Sequence, residues 1–544
     1  MRTNYLSRTF AAAVIALLSY GVSNAQGEDQ APVTAITLNG DSIAVDGIGA
    51  TVEGSTVTIT AAGTYSLTGS LTDGQVAVNS EDAELVTLIL NGVNISNSSS
   101  AAINIINAES AAIVVTEGTQ NYVSDAETYV YANPEDDEPN AAIFSDDDLT
   151  ISGSGTLTVD AHYNDGIASK DGLTISDATI TVNSVDDGIR GKDYLLINSG
   201  NITVTSQGDA LKSDNDEDTS LGYITIENGV FKLTNGGDGI AAETAATINN
   251  GEFTIVTAGG NQSVISEDLS AKAIKAGTTL LIENGTFALD AADDGLHSND
   301  KLIVNNGTFN IAVGDDAIHA DNSVEINNGV IDITNSLEGI EGVVITINDG
   351  NIHLVSRDDG LNAAGDVPNY HLYINGGYVV VKADGDGIDS NGSITITDGV
   401  VIVHGPTANN NAAVDYDGTF TMSGGFLVAA GSAGMAQTSS GTQNALLLNL
   451  SAVQPAGTLV SIQSADGQEV LTFAPEKSFQ SIAVSSPNLV TGATYNVYLG
   501  GSYDGSASDG LYSGGTYTPG TQYTSFTINS TVTQIGEQRR RGRP

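Results

Sequence analysis

A short acidic motif returns nine times between residues 164 and 391: an acidic residue, then Gly or Ala, then Ile or Leu. The copies are Asp165-Gly166-Ile167, Asp187-Gly188-Ile189, Asp209-Ala210-Leu211, Asp238-Gly239-Ile240, Asp294-Gly295-Leu296, Asp316-Ala317-Ile318, Glu338-Gly339-Ile340, Asp359-Gly360-Leu361 and Asp386-Gly387-Ile388. Most neighbouring copies are 21 to 29 residues apart, and a degenerate copy stands at Lys272-Ala273-Ile274. A repeat of this period is typical of a solenoid whose coils stack in one dimension.

Stacking would bring the repeated carboxylates together. At the coil spacing of about 4.8 Å, two like charges repel by roughly 1 kcal/mol in water and about 3.5 kcal/mol at an effective dielectric of 20. Ca²⁺ could offset this repulsion, because it takes six to eight oxygen ligands in loose geometry. The predicted calcium ligands are Asp186, Asp187, Asp209, Asp238, Asp293, Asp294, Asp315, Asp316, Glu338, Asp358, Asp359, Asp386 and Asp389. The alternative is that the acids cap turns by accepting hydrogen bonds from backbone N–H groups and stay solvated.

The residue after each motif should point outward if its aliphatic residue points inward, because side chains alternate along a strand. The predicted carbohydrate-binding residues are the basic side chains at this position: Arg190, Lys212, Lys275, His297 and His319. With the motif glycines beside them, they would form a flat strip against which an extended polymer could lie. The alternative is that the glycines serve only a tight corner.

Catalysis is a second possible use of paired carboxylates, since glycoside hydrolysis needs two of them. Gly314-Asp315-Asp316-Ala317-Ile318 is similar to the acidic motif of β-helical polygalacturonases. A lyase would instead need a basic residue beside calcium, for which Lys212, Lys275, Arg190 and Arg357 are candidates. Nothing singles out one coil, and repetition favours binding or architecture, so no catalytic residue is predicted.

The composition limits the partners. Among 544 residues, 66 are Asp or Glu and 17 are Lys or Arg, which gives a formal charge of −49. Such a charge argues against nucleic acid or an anionic membrane surface as partner and favours cations. The absence of cysteine excludes disulfides, thiolate metal sites and cysteine nucleophiles.

The N-terminus predicts export. Arg2 and Arg8 flank a short basic region, an apolar stretch runs over residues 10–18, and Ser23-Asn24-Ala25 has the form of a cleavage site. Residues 1–25 are therefore predicted to be a signal peptide. The apolar stretch is too short for a transmembrane segment, and none is expected elsewhere. We expect a secreted or extracellular monomer, with attachment to the cell surface left open.

Each repeat unit contains three short β-prone runs separated by turn residues, without helical periodicity. This predicts an all-β parallel β-helix with three sheets and coils of 22 residues over residues 26–436. One predicted core column contains Ile175, Ile197, Ile226, Ile248, Ile282, Val304, Ile326, Ile347, Ile374 and Ile396. A second predicted column contains Phe231, Phe253, Phe287 and Phe309.

The C-terminal part has a different pattern. Residues 446–498 alternate again, and residues 437–530 are predicted to form a small β domain that caps the open end of the solenoid, because an uncovered terminal coil would invite edge pairing. An independent binding domain is the alternative. Residues 531–544 are basic and are predicted to form a flexible tail.

Several strings resemble a family of bacterial carbohydrate-binding β-helix proteins, recognised through a calcium-containing protein of a cellulose-degrading bacterium. They include Asp187-Gly188-Ile189-Arg190-Gly191-Lys192, Asp293-Asp294-Gly295-Leu296-His297-Ser298, Gly385-Asp386-Gly387-Ile388-Asp389-Ser390, His404-Gly405-Pro406-Thr407 and Asp415-Tyr416-Asp417-Gly418. The resemblance covers residues 35–501. It implies a right-handed parallel β-helix similar in shape to pectate lyases, bound Ca²⁺, and binding of cellulose and pectic acid without established catalysis.

The residues and the resemblance together favour a secreted polysaccharide-binding protein, in which Ca²⁺ links the protein's carboxylates to those of an acidic glycan such as polygalacturonate, with cellulose as a further candidate ligand. Two alternatives stay open. One is a pectate lyase or polygalacturonase-like enzyme, and the other is a structural or adhesive surface protein.

Overall fold

The computed structural model describes residues 33–266, 268–366 and 368–536. The predicted signal peptide at residues 1–25 lies outside the described residues, and so do the tail residues 537–544. Within the described ranges no residue is helical. The described part of the chain therefore contains no helix that could cross a membrane.

The first ten strands precede the acidic motifs. They are β1 (Thr34–Gly40), β2 (Ile43–Asp46), β3 (Ala50–Glu53), β4 (Thr56–Ile59), β5 (Gly63–Leu71), β6 (Gln75–Asn79), β7 (Val86–Ser96), β8 (Ile103–Asn107), β9 (Ala111–Val115) and β10 (Gln120–Ser124). Apart from the antiparallel pairs β1–β2 and β3–β4, these strands pair in parallel.

The repeat supplies the next strands. They are β11 (Ala141–Ser145), β12 (Leu149–Ser152), β13 (Thr156–Asp160), β14 (Asp165–Ser169), β15 (Gly172–Ser176), β16 (Ala178–Asn183), β17 (Ile189–Gly191), β18 (Tyr194–Ile197), β19 (Gly200–Ser206), β20 (Leu211–Ser213), β21 (Tyr223–Ile226), β22 (Val230–Asn235), β23 (Ile240–Ala242), β24 (Ala245–Ile248), β25 (Glu252–Thr257), β26 (Ile274–Ala276), β27 (Thr279–Ile282), β28 (Thr286–Ala291), β29 (Leu296–Ser298), β30 (Lys301–Val304), β31 (Thr308–Val313), β32 (Ile318–Ile326), β33 (Val330–Asn335), β34 (Ile340–Ile347), β35 (Asn351–Ser356), β36 (Leu361–Ala363), β37 (His371–Ile374), β38 (Tyr378–Ala383), β39 (Ile388–Ser390), β40 (Ser393–Ile396), β41 (Val400–His404), β42 (Phe420–Met422) and β43 (Phe426–Gly431).

Ten further strands complete the described chain. They are β44 (Ser440–Gly441), β45 (Ala445–Gln454), β46 (Val460–Ser464), β47 (Glu469–Phe473), β48 (Phe479–Ser485), β49 (Thr494–Tyr503), β50 (Ser506–Ser508), β51 (Leu511–Ser513), β52 (Tyr517–Thr527) and β53 (Val532–Ile535).

Pairing within the repeat is parallel and regular. From β11 to β29 each strand pairs with the strand three further along the chain, for example β14 with β17, β15 with β18 and β16 with β19. Three parallel ladders result, which is the arrangement of a β-helix-like fold with three strands per coil. The predicted all-β fold with parallel strands is confirmed, whereas its right-handedness stays a prediction.

The core is made of side-chain columns that run from coil to coil. The ten aliphatic residues of the first predicted column are fully buried. The rings of Phe231, Phe253, Phe287 and Phe309 stack with centroids 4.6 to 4.8 Å apart. This distance matches the spacing between hydrogen-bonded strands, so each coil adds one ring in register with the last.

Strands near the C-terminus pair differently. Strand β48 is antiparallel to both β43 and β45, and strands β46, β47 and β49 to β52 form a separate six-stranded sheet. Parallel pairing persists to β44, beyond the predicted domain boundary at residue 436. Strand β53 pairs with β45, so residues 532–535, assigned by sequence to the flexible tail, belong to the main sheet instead. The capping role of the C-terminal strands stays a prediction.

Candidate functional site

The acidic motifs stand in register. Parallel pairing aligns Ile189 with Leu211, and the N–H of Gly188 donates to the carbonyl of Asp209 at 2.8 Å. The same bond recurs from coil to coil, and it aligns one position that we call the acid column. The column contains Asp165, Asp187, Asp209, Asp238, Lys272, Asp294, Asp316, Glu338, Asp359 and Asp386.

A second column lies three residues further along each coil, and we call it the flanking column. Its members are Arg190, Lys212, Ala241, Lys275, His297, His319, Glu341, Asn362 and Asp389. It contains all five predicted carbohydrate-binding residues. Both columns arise because equivalent residues of successive coils pair with one another in the same parallel ladder.

The motif glycines form a tight corner and not an outward strip. Gly188 and Gly387 are buried, and a Cβ atom at these positions would collide with Val204 on β19 and Val403 on β41. In these two coils the backbone approaches the core too closely for a side chain. The expectation of a flat glycine surface is therefore wrong, and the alternative of a tight corner holds.

One oxygen of each column aspartate caps the next coil. Asp187 Oδ1 accepts the N–H of Asp209 at 2.8 Å, and Asp209 Oδ1 accepts the N–H of Asp238 at 2.7 Å. Asp359 Oδ1 accepts the N–H of Asp386 in the same way. The turn-capping alternative is thus part of the structure, and it leaves the second oxygen of each carboxylate available.

In the N-terminal part of the column, the protein's own cations meet that second oxygen. Arg190 Nε lies 3.0 Å from Asp165, and Lys212 Nζ lies 3.0 Å from Asp187 and 3.1 Å from Asp209. The remaining pairs are Lys275 with Asp238, and Lys272 with Asp294 and the neighbouring Asp293. Lys212 and Lys275, predicted to bind carbohydrate, are thus engaged with residues predicted to bind metal, whereas Arg190 pairs with Asp165, which was not a predicted ligand.

Two histidines continue this pattern. His297 Nδ1 lies 2.8 Å from Asp294, and His319 Nδ1 lies 2.9 Å from Asp316. Burial alone would lower the pKa of His319, but the hydrogen bond to Asp316 and the charges of Asp294 and Glu341 raise it to about 9. His319 is therefore cationic at neutral pH. We call the column from Asp165 to Asp316 the compensated section.

The column from Glu338 onward, with Asp389 beside it, is the open section. In the described part of the chain, Glu338, Asp359, Asp386 and Asp389 form no ion pair with lysine, arginine or histidine. Burial is the largest cause that raises their pKa values, followed by the charges of neighbouring acids. The pKa rises to about 6 for Asp359 and to about 7 for Asp386 and Asp389.

Three carboxylates of the open section converge. Asp359, Asp386 and Asp389 each offer one oxygen, and these oxygens lie within 4.8 Å of one another. Asn362 stands directly before Asp389 in the flanking column and is 7% exposed. Its amide donates to Glu338 at 2.7 Å, while its buried Oδ1 has no hydrogen-bond partner.

This donor set fits a hard divalent cation. Three carboxylates and one orphaned amide oxygen are the kind of ligands that Ca²⁺ prefers, and a buried oxygen without a partner is costly unless something binds it. Sequence reasoning predicted the three acids as metal ligands but missed Asn362, although it occupies the same repeat position as Asp389.

The other predicted metal ligands are distributed differently. Asp186 and Asp358 are exposed beside the column. Asp293 and Asp315 converge with Asp294, but Lys272 already lies 2.8 Å from Asp293. Burial, then the charges of Asp316, Asp294 and Asp293, raises the pKa of Asp315 to about 6. Sequence reasoning also missed the part played by Lys272, the basic residue of the degenerate motif.

Comparison with known proteins gives a consistent assignment. The sequence matches the family described as carbohydrate-binding domain-containing protein over residues 53–317 and 315–518. A protein of that description from Acetivibrio thermocellus is 40% identical over 150 residues, which are 27% of this chain and 52% of that protein. The chain thus spans about half the length of this curated relative.

Among solved structures, the chain is similar to one described as the polysaccharide lyase-like protein from C. thermocellum, as a gadolinium derivative. The two are 34% identical, the similarity covers 46% of this chain and 97% of that one, and the TM-score is 0.43.

Proposed function

The chain belongs to the carbohydrate-binding domain-containing protein family, and from this premise we propose that it is an exported protein that binds acidic polysaccharides through Ca²⁺ held by the open section. Polygalacturonate is the model ligand. Export, predicted from residues 1–25, is part of the proposal because Ca²⁺ is abundant outside cells.

One observation carries the proposal. The carboxylates of Asp359, Asp386 and Asp389 converge with no basic side chain paired to them in the described residues, and Asn362, the strand partner of Asp389, has a buried Oδ1 without a hydrogen-bond partner. Like charges this close oppose one another, and burial increases the cost. A bound cation would offset both the repulsion between the carboxylates and the cost of burying them, and it would coordinate the amide oxygen.

Ca²⁺ would supply a positive charge with open coordination positions on a surface that otherwise repels anions. A formal charge of −49 makes most of the protein surface repel polygalacturonate, and such a positive charge would offset that repulsion. Asp359, Asp386, Asp389 and Asn362 would hold the ion, and the sugar carboxylates would supply further oxygen ligands. The absence of tryptophan removes the best stacking platform for neutral glucans, so cellulose should bind less well.

The experiment is retention on immobilised polygalacturonate with Ca²⁺ and with a chelator. We expect wild-type protein to be retained with Ca²⁺ and released by the chelator. The Asp386→Asn/Asp389→Asn double variant should be retained at least about tenfold less, since it loses two charged ligands. Asn362→Leu should weaken retention less, because it removes one neutral ligand.

Asp332→Asn is the matched control, because Asp332 is an exposed acid on β33 outside both columns. It should behave like wild type. Retention that is as strong in chelator as with Ca²⁺, or that survives the double substitution in the presence of Ca²⁺, would exclude this mechanism. A parallel assay for unsaturated or reducing ends should detect no product, whereas product release would favour the lyase or hydrolase alternative. Calcium-dependent stability without glycan retention would favour a structural or adhesive protein.

A further inference from the structure

A cleft of about 590 Å³ lies where strands β25, β28, β31, β33 and β35 end, and its lining includes none of the four proposed calcium ligands. The segment between β25 and β26 overhangs it. This coil is longer than its neighbours, with 34 residues between the motif positions Ile240 and Ile274, compared with 22 between Leu296 and Ile318. The additional residues form one wall of the cleft, and Asn261, Gln262 and Val264 lie in it.

The overhanging segment is anchored to the coil below it. The backbone N–H and the side-chain amide of Asn261 both donate to Asp290 Oδ1, each at 2.7 Å. Gly260 has a φ of +86°, and a Cβ atom there would come within 2.6 Å of the same carboxylate oxygen. The Asn335 amide donates to the carbonyl of Val313 at 2.7 Å and to Asn261 Oδ1 at 3.4 Å. The cleft is therefore built from groups held in place before any ligand arrives.

Arg357 is the unusual residue of this cleft. Its Nε donates to the carbonyl of Ser336 at 3.2 Å and its Nη2 donates to the carbonyl of Gly314. It forms no ion pair with any carboxylate in the described residues, although the chain contains 66 acidic residues. A guanidinium has five N–H donors, so most of them remain for a ligand.

The local charge differs from that of the whole chain. Lys272 and Arg357 line the cleft together with two acids, Asp293 and Asp315. Lys272 lies 2.8 Å from Asp293, so that carboxylate is neutralised. Two cations and two acids leave the cleft close to neutral on a protein whose formal charge is −49. An anion meets less repulsion here than over the open section without metal.

We propose that this cleft is a second saccharide subsite, in which Arg357 receives the carboxylate of one uronate residue without the help of Ca²⁺. The planar guanidinium matches a carboxylate in a two-bond geometry, which an ammonium group does not. Asn261, Gln262 and Asn335 supply amide donors and acceptors for sugar hydroxyls, and Asp315 can accept from a hydroxyl. The subsite rests on the proposed function, because it assumes that the ligand is an acidic polysaccharide.

The test is a calorimetric titration of the full chain with short galacturonate oligomers, in the presence of a chelator. We expect measurable binding that Arg357→Gln weakens at least about tenfold, because hydrogen bonds to charged groups contribute more than neutral ones. Lys232→Gln is the matched control, since Lys232 is an exposed cation on β22, outside the cleft and without an ion pair to any described residue. It should bind like wild type. Arg357→Lys keeps the charge but loses the fork, so it should bind with intermediate affinity.

Equal binding by wild type and Arg357→Gln would overturn the subsite, and so would equal binding of galacturonate oligomers and neutral galactose oligomers. If Arg357→Gln unfolds at a lower temperature than wild type, the Arg357→Lys variant decides the question. This result is separable from the proposed function. Retention on polygalacturonate that needs Ca²⁺ but ignores Arg357 refutes the subsite alone, whereas oligomer binding in chelator that needs Arg357 survives failure of the calcium site.

Discussion

The compensated section and the open section have the same backbone arrangement, but they differ in what offsets the repulsion between their stacked carboxylates. In the compensated section, six column acids (Asp165, Asp187, Asp209, Asp238, Asp294 and Asp316) meet six basic residues (Arg190, Lys212, Lys272, Lys275, His297 and His319). In the open section, Glu338, Asp359, Asp386 and Asp389 meet none in the described residues. The repeat therefore determines the positions of the carboxylates, and the flanking column largely determines whether each carboxylate has a basic partner.

This difference indicates that the compensated section serves the stability of the fold, whereas the open section is the part that can bind a ligand. A buried carboxylate is costly unless it is paired, so the compensated section is complete as it stands and offers little to a ligand. The open section keeps the acids but replaces the basic flanking residues with Glu341, Asn362 and Asp389, which add oxygen atoms and no positive charge. Its demand for a cation is the physical basis of the proposed calcium site.

The largest expected effect comes from breaking the compensated section. Lys212→Met removes the cation shared by Asp187 and Asp209, of which Asp187 is only 8% exposed. We expect a loss of about 3 kcal/mol in the free energy of unfolding, because a buried charge is left without its partner. Urea denaturation measures it. Ca²⁺ should not restore the loss, since the flanking position then holds a methionine without oxygen ligands.

The control for this substitution is Lys301→Met. Lys301 pairs with Glu325 at 3.6 Å, and both side chains are more than a third exposed. An exposed pair of this kind contributes less than about 1 kcal/mol, so the control should lie close to wild type. If Ca²⁺ restored the free energy of unfolding of Lys212→Met, the proposed difference between the two sections would be wrong, because the acid column would then bind metal whatever flanks it.

A smaller effect is expected from metal in the open section. Ca²⁺ at one hundred times its dissociation constant should stabilise wild-type protein by about 2.7 kcal/mol per site, because it binds only the folded state. The Asp386→Asn/Asp389→Asn variant should show no such response and should be more stable than wild type in chelator, since two like charges are gone. Thermal unfolding with and without Ca²⁺ measures both. A double variant that still responds to Ca²⁺ would place the metal elsewhere.

The parallel arrangement of the strands could be predicted from sequence because it depends on repetition. The spacing of motifs such as Asp294-Gly295-Leu296 and Asp316-Ala317-Ile318 set the coil length, and the stacked ring of Phe287 occupies the place that its period predicts. Strand β53 was missed because Val532–Ile535 follows no repeat. Its pairing with β45 depends on a contact between distant parts of the chain.

The candidate site was predicted only in part, for the same reason. Sequence placed the acids in register, but several of their partners come from the neighbouring coil. Lys212 reaches Asp187 of the previous coil as well as Asp209 of its own, and Lys272 reaches forward to Asp294. The Lys212–Asp187 and Lys272–Asp294 pairs are contained in no single repeat. The unsatisfied oxygen of Asn362 likewise becomes visible only when the coils are stacked.

The smallest expected effect is a pH dependence of folding stability in the presence of a chelator, which would test the open section without metal. Burial, then neighbouring acids, raises the pKa of Asp386 and Asp389 from 3.8 to about 7. Between these values the folded state binds more protons than the unfolded state, so stability should fall as the pH rises from about 4 to about 7 and then level off. Thermal unfolding across this range should show a steeper fall for wild type than for Asp386→Asn/Asp389→Asn. Parallel profiles for the two proteins would mean that Asp386 and Asp389 do not cause the fall in stability, which would then come from acids elsewhere in the chain.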